Sequence, residues 1–293
     1  SSAASDVYKR QYQFIARTDR ARNIKIIFEI LSYYLKTVCS LRITPEGVFI
    51  CEESTDGRVI LQIALQSSKF ALFSCRKSRT INISIDELYS TLKPAVRKDD
   101  KVTMCITNED PDTLTFVIVP TKSMSQSTRV STPVTEVTRE FAYKFPTDYT
   151  NPPVIISPSG MQKMCQGMKK LNDKITINCD RPRRLRMICT GINGTVNDTT
   201  SEYEDDEHTE EELAAFSEFN GTFCTRDIIK AMKLVNLGDS VSIETAPERH
   251  FKMEIQVSSM GKCCVFLLSN EQIQAAINNE SDDESDSSDD ETD

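Results

Sequence analysis

The sequence predicts an α+β protein made of two similar domains, each with two helices packed on antiparallel sheets. Three observations carry that expectation. A helix followed by a β-hairpin occurs four times along the chain. Three of those hairpins open with Asp-x-Val or Asp-x-Ile. A polar stretch rich in Ser, Thr and Pro, with no periodicity, separates the first two repeats from the last two. Units of this kind bury one face of each helix against sheet.

The first helix is read from "NIKIIFEILSYYLK" (23–36), where Ile24, Ile27, Phe28, Leu31 and Leu35 recur at helical spacing. Two strand-like runs around a Pro-Glu-Gly turn follow in "SLRITPEGVFICEE". The second helix is "IDELYSTLK" (85–93), with Ile85, Leu88, Tyr89 and Leu92 inward, acids in its first turn and Pro94 as its expected stop. Its hairpin is "DKVTMCITNEDPDTLTFVIVP". The third helix, "SPSGMQKMCQGMKKLND" (157–173), puts Met161, Met164, Cys165, Met168 and Leu171 on one face and is followed by "DKITINCDRPRRLRMICT". The fourth is "TRDIIKAMKLV" (225–235), with Ile228, Ala231, Met232 and Val235 inward, followed by "DSVSIETAPERHFKMEIQV". The expected layout is a non-native leader over 1–11, a first domain over 12–121, a connector over 122–152, a second domain over 153–273 and an unstructured acidic tail over 274–293.

Composition narrows the function classes. The 293 residues carry a net charge of −9, unevenly placed. The last fourteen residues hold nine acids and the segment 202–212 holds eight; without these seventeen the rest of the chain stands at +8. Such acidic blocks are expected to be solvated. No apolar run approaches the roughly 20 residues of a membrane span, and no membrane partner is expected. The ten cysteines include no C-x-x-C and lie mostly in apolar patterns, which predicts reduced, buried thiols. With only His208 and His250, no Gly-rich phosphate loop and no paired ligand spacing, neither catalysis, a metal site nor a cofactor is expected.

The outward faces of the helices are basic. Lys163 and Lys170 stand on one stripe of the third helix, with Lys169 beside it. Arg226, Lys230 and Lys233 form a stripe on the fourth. Lys93 ends the second, with Arg97 and Lys98 in the next turn, and Lys25 and Lys36 lie on the first, diluted by Glu29. Cations aligned on a shared surface attract a polyanion and contact phosphates without reading bases. The aromatic residues occupy core-phase positions, so duplex backbone is a better fit than stacked single strand.

"PSGMQKMC", "SMGKCCVFLL", "DTLTFVIV" and "ITPEGVFI", in their order within a two-domain repeat, resemble the proliferating cell nuclear antigen family of DNA sliding clamps. The resemblance runs from about Tyr12 to Ile273. It implies the DNA clamp fold, a homotrimeric ring of pseudo-sixfold form, and helices lining a channel around non-specific duplex DNA. Position by position, it implies a channel set of Lys25, Lys93, Lys163, Lys170, Arg226 and Lys233; Lys230 joins them from helical phase. It further implies a processivity factor for DNA polymerase that meets a clamp loader and other DNA replication and repair enzymes bearing short peptide motifs. Their pocket would use Phe145, Pro146, Phe266, Leu267 and Leu268. Ser269 departs from the family, which usually has Pro there. Subunits of such clamps join edge strand to edge strand, which points to 112–119 and to the vicinity of 194–200. The implied setting is the nucleus, or a viral replication site in an infected cell. Three other readings stay open: an acidic protein-interaction or chaperone module, a monomeric processivity factor, and one subunit of a heterotrimeric checkpoint clamp.

Overall fold

The structure, a computed structural model, describes residues 11–35, 37–121, 126–138, 148–202 and 210–285. Nearly all of the expected leader, Lys36, His208, Phe145, Pro146 and the last eight residues lie outside that set. The chain divides into two compact units. One comprises Ser1–Lys144, Lys233–Asp239 and Glu254–Val265; the other comprises Phe145–Met232, Ser240–Met253 and Phe266–Asp293.

In the first unit, β1 (Tyr12–Thr18) leads into α1 (Ala21–Tyr34). Nine of the fourteen α1 residues are buried, so only a narrow stripe of Arg22, Lys25, Glu29, Ser32 and Tyr33 is left toward solvent. The helix ends where Leu35 turns extended and its N–H bonds the Leu31 carbonyl at 2.7 Å. The strands β2 (Val38–Thr44) and β3 (Gly47–Glu53) form the expected hairpin and β4 (Val59–Gln66) pairs beside them. A Cβ at Gly47 would sit 2.0 Å from the Leu65 carbonyl oxygen, so the close strand approach requires glycine there.

A 3-10 turn (Ser67–Lys69), β5 (Leu72–Cys75) and β6 (Arg79–Ser84) precede α2 (Ile85–Ala95). The helix α2 runs one residue past Pro94 instead of stopping at it. Proline inside the last turn removes one N–H donor, and the turn still closes through Val96 N–H to Leu92 O at 3.0 Å. The strands β7 (Lys101–Thr107) and β8 (Thr113–Val119) form the second hairpin.

The expected connector contains two strands, β9 (Thr128–Pro133) and β10 (Thr135–Glu136). The strand β9 pairs along β8 from Ile118↔Thr128 to Thr113↔Pro133, so β8 is interior and not the edge that was expected. The pattern was present in muted form: Val130, Thr132 and Val134 alternate and are buried, but all three are short and the strand is flanked by polar residues. The resulting antiparallel order is β5-β1-β7-β8-β9 in one sheet and β10-β6-β2-β3-β4 in the other. Phe28 of α1 meets Phe116 of β8 edge-on at 5.5 Å, joining helix to sheet.

In the second unit, β11 (Val154–Ile156) is followed by α3 (Pro158–Met164) and α4 (Met168–Leu171). The single third helix expected from periodicity is broken between them. Gly167 adopts φ +82°, a left-handed conformation that ends a helix. The freed carbonyls find donors on a neighbouring strand: Asn197 Nδ2 donates to Gln166 O at 2.8 Å and Thr199 Oγ1 to Met164 O at 3.2 Å. The apolar face survives the break, since Met161, Met164, Cys165 and Met168 are all buried.

The strands β12 (Lys174–Cys179), β13 (Arg184–Thr190) and β14 (Val196–Glu202) are followed by α5 (Glu210–Ala215) and β15 (Phe219–Cys224). They form a four-stranded sheet in the order β14-β13-β12-β15, with β14 at its edge. The ends of the acidic segment 202–212 thus belong to β14 and α5, and Glu210 is exposed to solvent as expected. The fourth helix, α6 (Thr225–Ala231), is shorter than expected and passes into a 3-10 turn (Leu234–Leu237). The strands β16 (Val241–Glu244) and β17 (Phe251–Gln256) form the fourth hairpin, and β18 (Gly261–Leu267) comes next. Phe219, Phe223 and Phe251 cluster at centroid distances of 5.6 to 6.3 Å as this unit's aromatic core. The tail expected to be unstructured from 274 begins as helix, α7 (Asn270–Ser285). It is started by a reciprocal cap: Ser269 N–H donates to Gln272 Oε1 at 2.9 Å, and Gln272 N–H to Ser269 Oγ at 3.2 Å.

Candidate functional site

Three of the expected channel cations, Lys25, Lys93 and Lys233, belong to the first unit. The helix α1 packs against α2 and against the 3-10 turn Leu234–Leu237. That packing opens a cleft of about 390 Å³ lined by Arg22, Lys25, Glu29, Arg97, Lys98 and Lys233 above Ile26 and Val96. Lys25 Nζ donates to the Val96 carbonyl at 3.1 Å, which holds the side chain half-buried across the cleft. Lys233 pairs with Glu29 at 3.3 Å, and Glu29 also accepts from Tyr33 Oη at 2.9 Å. Burial and the Glu29 charge push the Tyr89 hydroxyl up to about 12, so it stays a neutral donor at physiological pH. Lys93 is exposed on α2, its Nζ 6.0 Å from the Tyr89 ring centre.

The other four cations belong to the second unit. Lys163 on α3 and Lys170 on α4 are exposed, on either side of the Gly167 break. The helix α4 packs on α6, which carries Arg226 and Lys230. Arg226 is exposed and lies 3.7 Å from the buried Asp227 carboxylate, while Lys230 is half-buried. In α1, α2, α3, α4 and α6, then, most apolar positions face the unit's core and the expected cations those helices carry lie on the remaining surface, while Lys233 lies just past α6.

Of the five residues of the expected peptide pocket, Phe145 and Pro146 lie outside the described residues and the other three are placed differently. Phe266 and Leu267 are each only 2% exposed, so both are core residues with no surface to offer a peptide. Alternation in a strand predicted that one of the two would be inward; the end of β18 is covered on both faces. Leu268 alone is half-buried and lines a cavity of about 620 Å³ with Phe219, Glu248, His250, Ser269, Gln272 and other residues of α7. Gln272 Nε2 donates to the Glu248 carbonyl at 3.0 Å and fastens α7 to the β16–β17 turn at its rim. His250 is half-buried there, its Nδ1 without a hydrogen-bond partner.

Sequence reasoning missed Arg22, although it stands three residues before Lys25 on the same stripe. It placed Arg97 and Lys98 in the turn after Lys93 but did not include them in the channel set. Eight of the ten cysteines are buried, and burial pushes the Cys165 and Cys179 thiols up to about 12, where they are inert. Among the described residues, no group of three His, Cys, Asp or Glu side chains is placed to hold a metal ion, and no helix is long and apolar enough to cross a membrane.

Comparison with known proteins agrees with this architecture. Residues 14–137 match the family profile described as the N-terminal domain of proliferating cell nuclear antigen, and residues 146–270 match the profile of its C-terminal domain. The proliferating cell nuclear antigen of Dictyostelium discoideum is 24% identical over 189 residues, covering 64% of this chain and 70% of that protein. Clamps of this kind are scaffolds that serve DNA replication, not enzymes. Two consecutive domain matches and a two-unit α+β structure lead to one conclusion: the chain belongs to the proliferating cell nuclear antigen family.

Proposed function

We propose that this chain is a sliding clamp that encircles duplex DNA as a ring of three identical copies and acts as a processivity factor for a DNA polymerase in the nucleus. The observation that carries the reading is the distribution of charge. A chain of net charge −9 has Lys25, Lys93, Lys163, Lys170, Arg226 and Lys230 on the outward parts of its helices and Lys233 just past the fourth. Topological retention lets such contacts be individually weak, so the clamp slides without losing its template.

Copies would join through sheet edges, which offer unpaired backbone donors and acceptors. The strand β14 is such an edge in the second unit and β9 in the first. Polymerase, clamp loader and repair enzymes would dock by an aromatic-anchored peptide at the cavity of Leu268, with Phe145 and Pro146 as further expected contributors.

Retention on primed circular DNA tests the reading. Wild type should stay on the circle at moderate salt and leave when the circle is cut. Lys163→Glu with Lys170→Glu should keep the trimer and lose retention. Sedimentation should give three times 33.1 kDa. A protein that sediments as a monomer and shows no topology-dependent retention would refute the proposal; assembly only with two other chains would favour the heterotrimeric checkpoint clamp.

A further inference from the structure

We infer that the cleft between α1, the loop after α2 and the Leu234–Leu237 turn is a built phosphate site that grips one backbone phosphate through Arg22, Arg97 and Lys98. The inference rests on the reading above as regards the duplex; the site itself rests on the cleft. Five cations line it against one acid, Glu29, which already pairs with Lys233. Lys25 is spent in part on the Val96 carbonyl. Arg22, Arg97 and Lys98 are exposed and show no acidic partner among the described residues. They stand over an apolar floor, Ile26 and Val96, where less water competes with an incoming oxyanion.

The loop that carries the pair is held in place before any ligand arrives. Arg97 N–H donates to Asp100 Oδ2 at 2.8 Å, and Ala21 N–H at the start of α1 donates to the Asp100 carbonyl at 3.4 Å. Asp100 is buried, with its carboxylate bonded to the Arg97 backbone; Asp99 is exposed in the same loop, and neither lines the cleft. Two guanidinium groups fit a phosphate better than scattered lysines do, because each planar fork can give two parallel hydrogen bonds.

The test compares Arg97→Gln with Lys98→Gln against Lys69→Gln with Lys77→Gln, an equal charge change at exposed sites of the same unit outside the cleft. Binding to a short duplex is measured across a salt series by anisotropy. The cleft variant should bind several-fold more weakly and lower the slope of log K against log salt by about one; the control pair should change neither. Sodium tripolyphosphate should displace duplex from wild type and raise its melting temperature, and should do neither to the cleft variant.

Equal losses in the two double variants would overturn the site and leave only bulk charge. An unchanged cleft variant beside a weakened Lys163→Glu, Lys170→Glu protein would also overturn it, with the clamp reading intact. If wild type bound no duplex but held tripolyphosphate through Arg97 and Lys98, the clamp reading would fail and the cleft would stand as a site for a free polyphosphate.

Discussion

The helix α1 and the α3–α4 pair start from the same pattern of apolar residues and end differently. Both place an apolar residue every three or four positions. The helix α1 is one continuous rod with nine of fourteen residues buried, and its end is set by the chain turning into β2. The α3–α4 pair keeps the apolar face but breaks at Gly167, where β14 side chains take up the released carbonyls. The difference teaches that periodicity reports which face is buried, not whether the helix is continuous. Continuity depends on whether a nearby element can supply donors when the backbone leaves the helical path.

That comparison can be broken by truncating each face. Leu31 of α1 is fully buried and Leu171 of α4 is half-buried. Leu31→Ala should cost about 2–5 kcal/mol in urea unfolding. Leu171→Ala should cost about 1 kcal/mol, since much of its surface stays in water. Equal losses would mean that α4 is packed as tightly as α1.

A smaller effect probes the break itself. Gly167→Ala forces a Cβ into a left-handed conformation and should destabilise by about 1–2 kcal/mol. A stabilising Gly167→Ala would show that α3 and α4 join into one helix in solution. Next comes the N-cap, which α3 has and α1 lacks: Ser157 Oγ accepts from Gly160 N–H at 3.1 Å. Ser157→Ala should cost about 1 kcal/mol, read as a lower urea midpoint with an unchanged slope.

The smallest effect concerns pH. Burial, and then the Arg249 charge, hold the His250 imidazole below its ordinary 6.5. The unfolded chain takes up that proton first, so below about pH 6.5 the fold loses stability as pH falls. His250→Gln should flatten the fall in melting temperature between about pH 7 and pH 5. An unaltered slope would assign it to other groups.

Much was readable from residue order alone. Four helix-hairpin repeats and the inward identities of Ile24, Leu31, Leu88, Met161 and Ile228 follow from periods of 3.6 and 2, which are properties of the local backbone. The family resemblance and the basic outward stripes were equally legible, because charge and motif order do not depend on packing. The connector strand β9 was not legible: its alternating residues are short, and only the partner strand β8 gives their alternation a meaning. Phe266 and Leu267 show the same limit, since a strand covered on both faces cannot be told from one covered on a single face until its neighbours are in place. The cleft lined by Arg22 of α1, by Arg97 and Lys98 after α2, and by Lys233 needed three segments distant in the chain. Local order assigned the charges to their elements; packing alone made them neighbours, because convergence of side chains is set by long-range contacts and not by spacing along one helix.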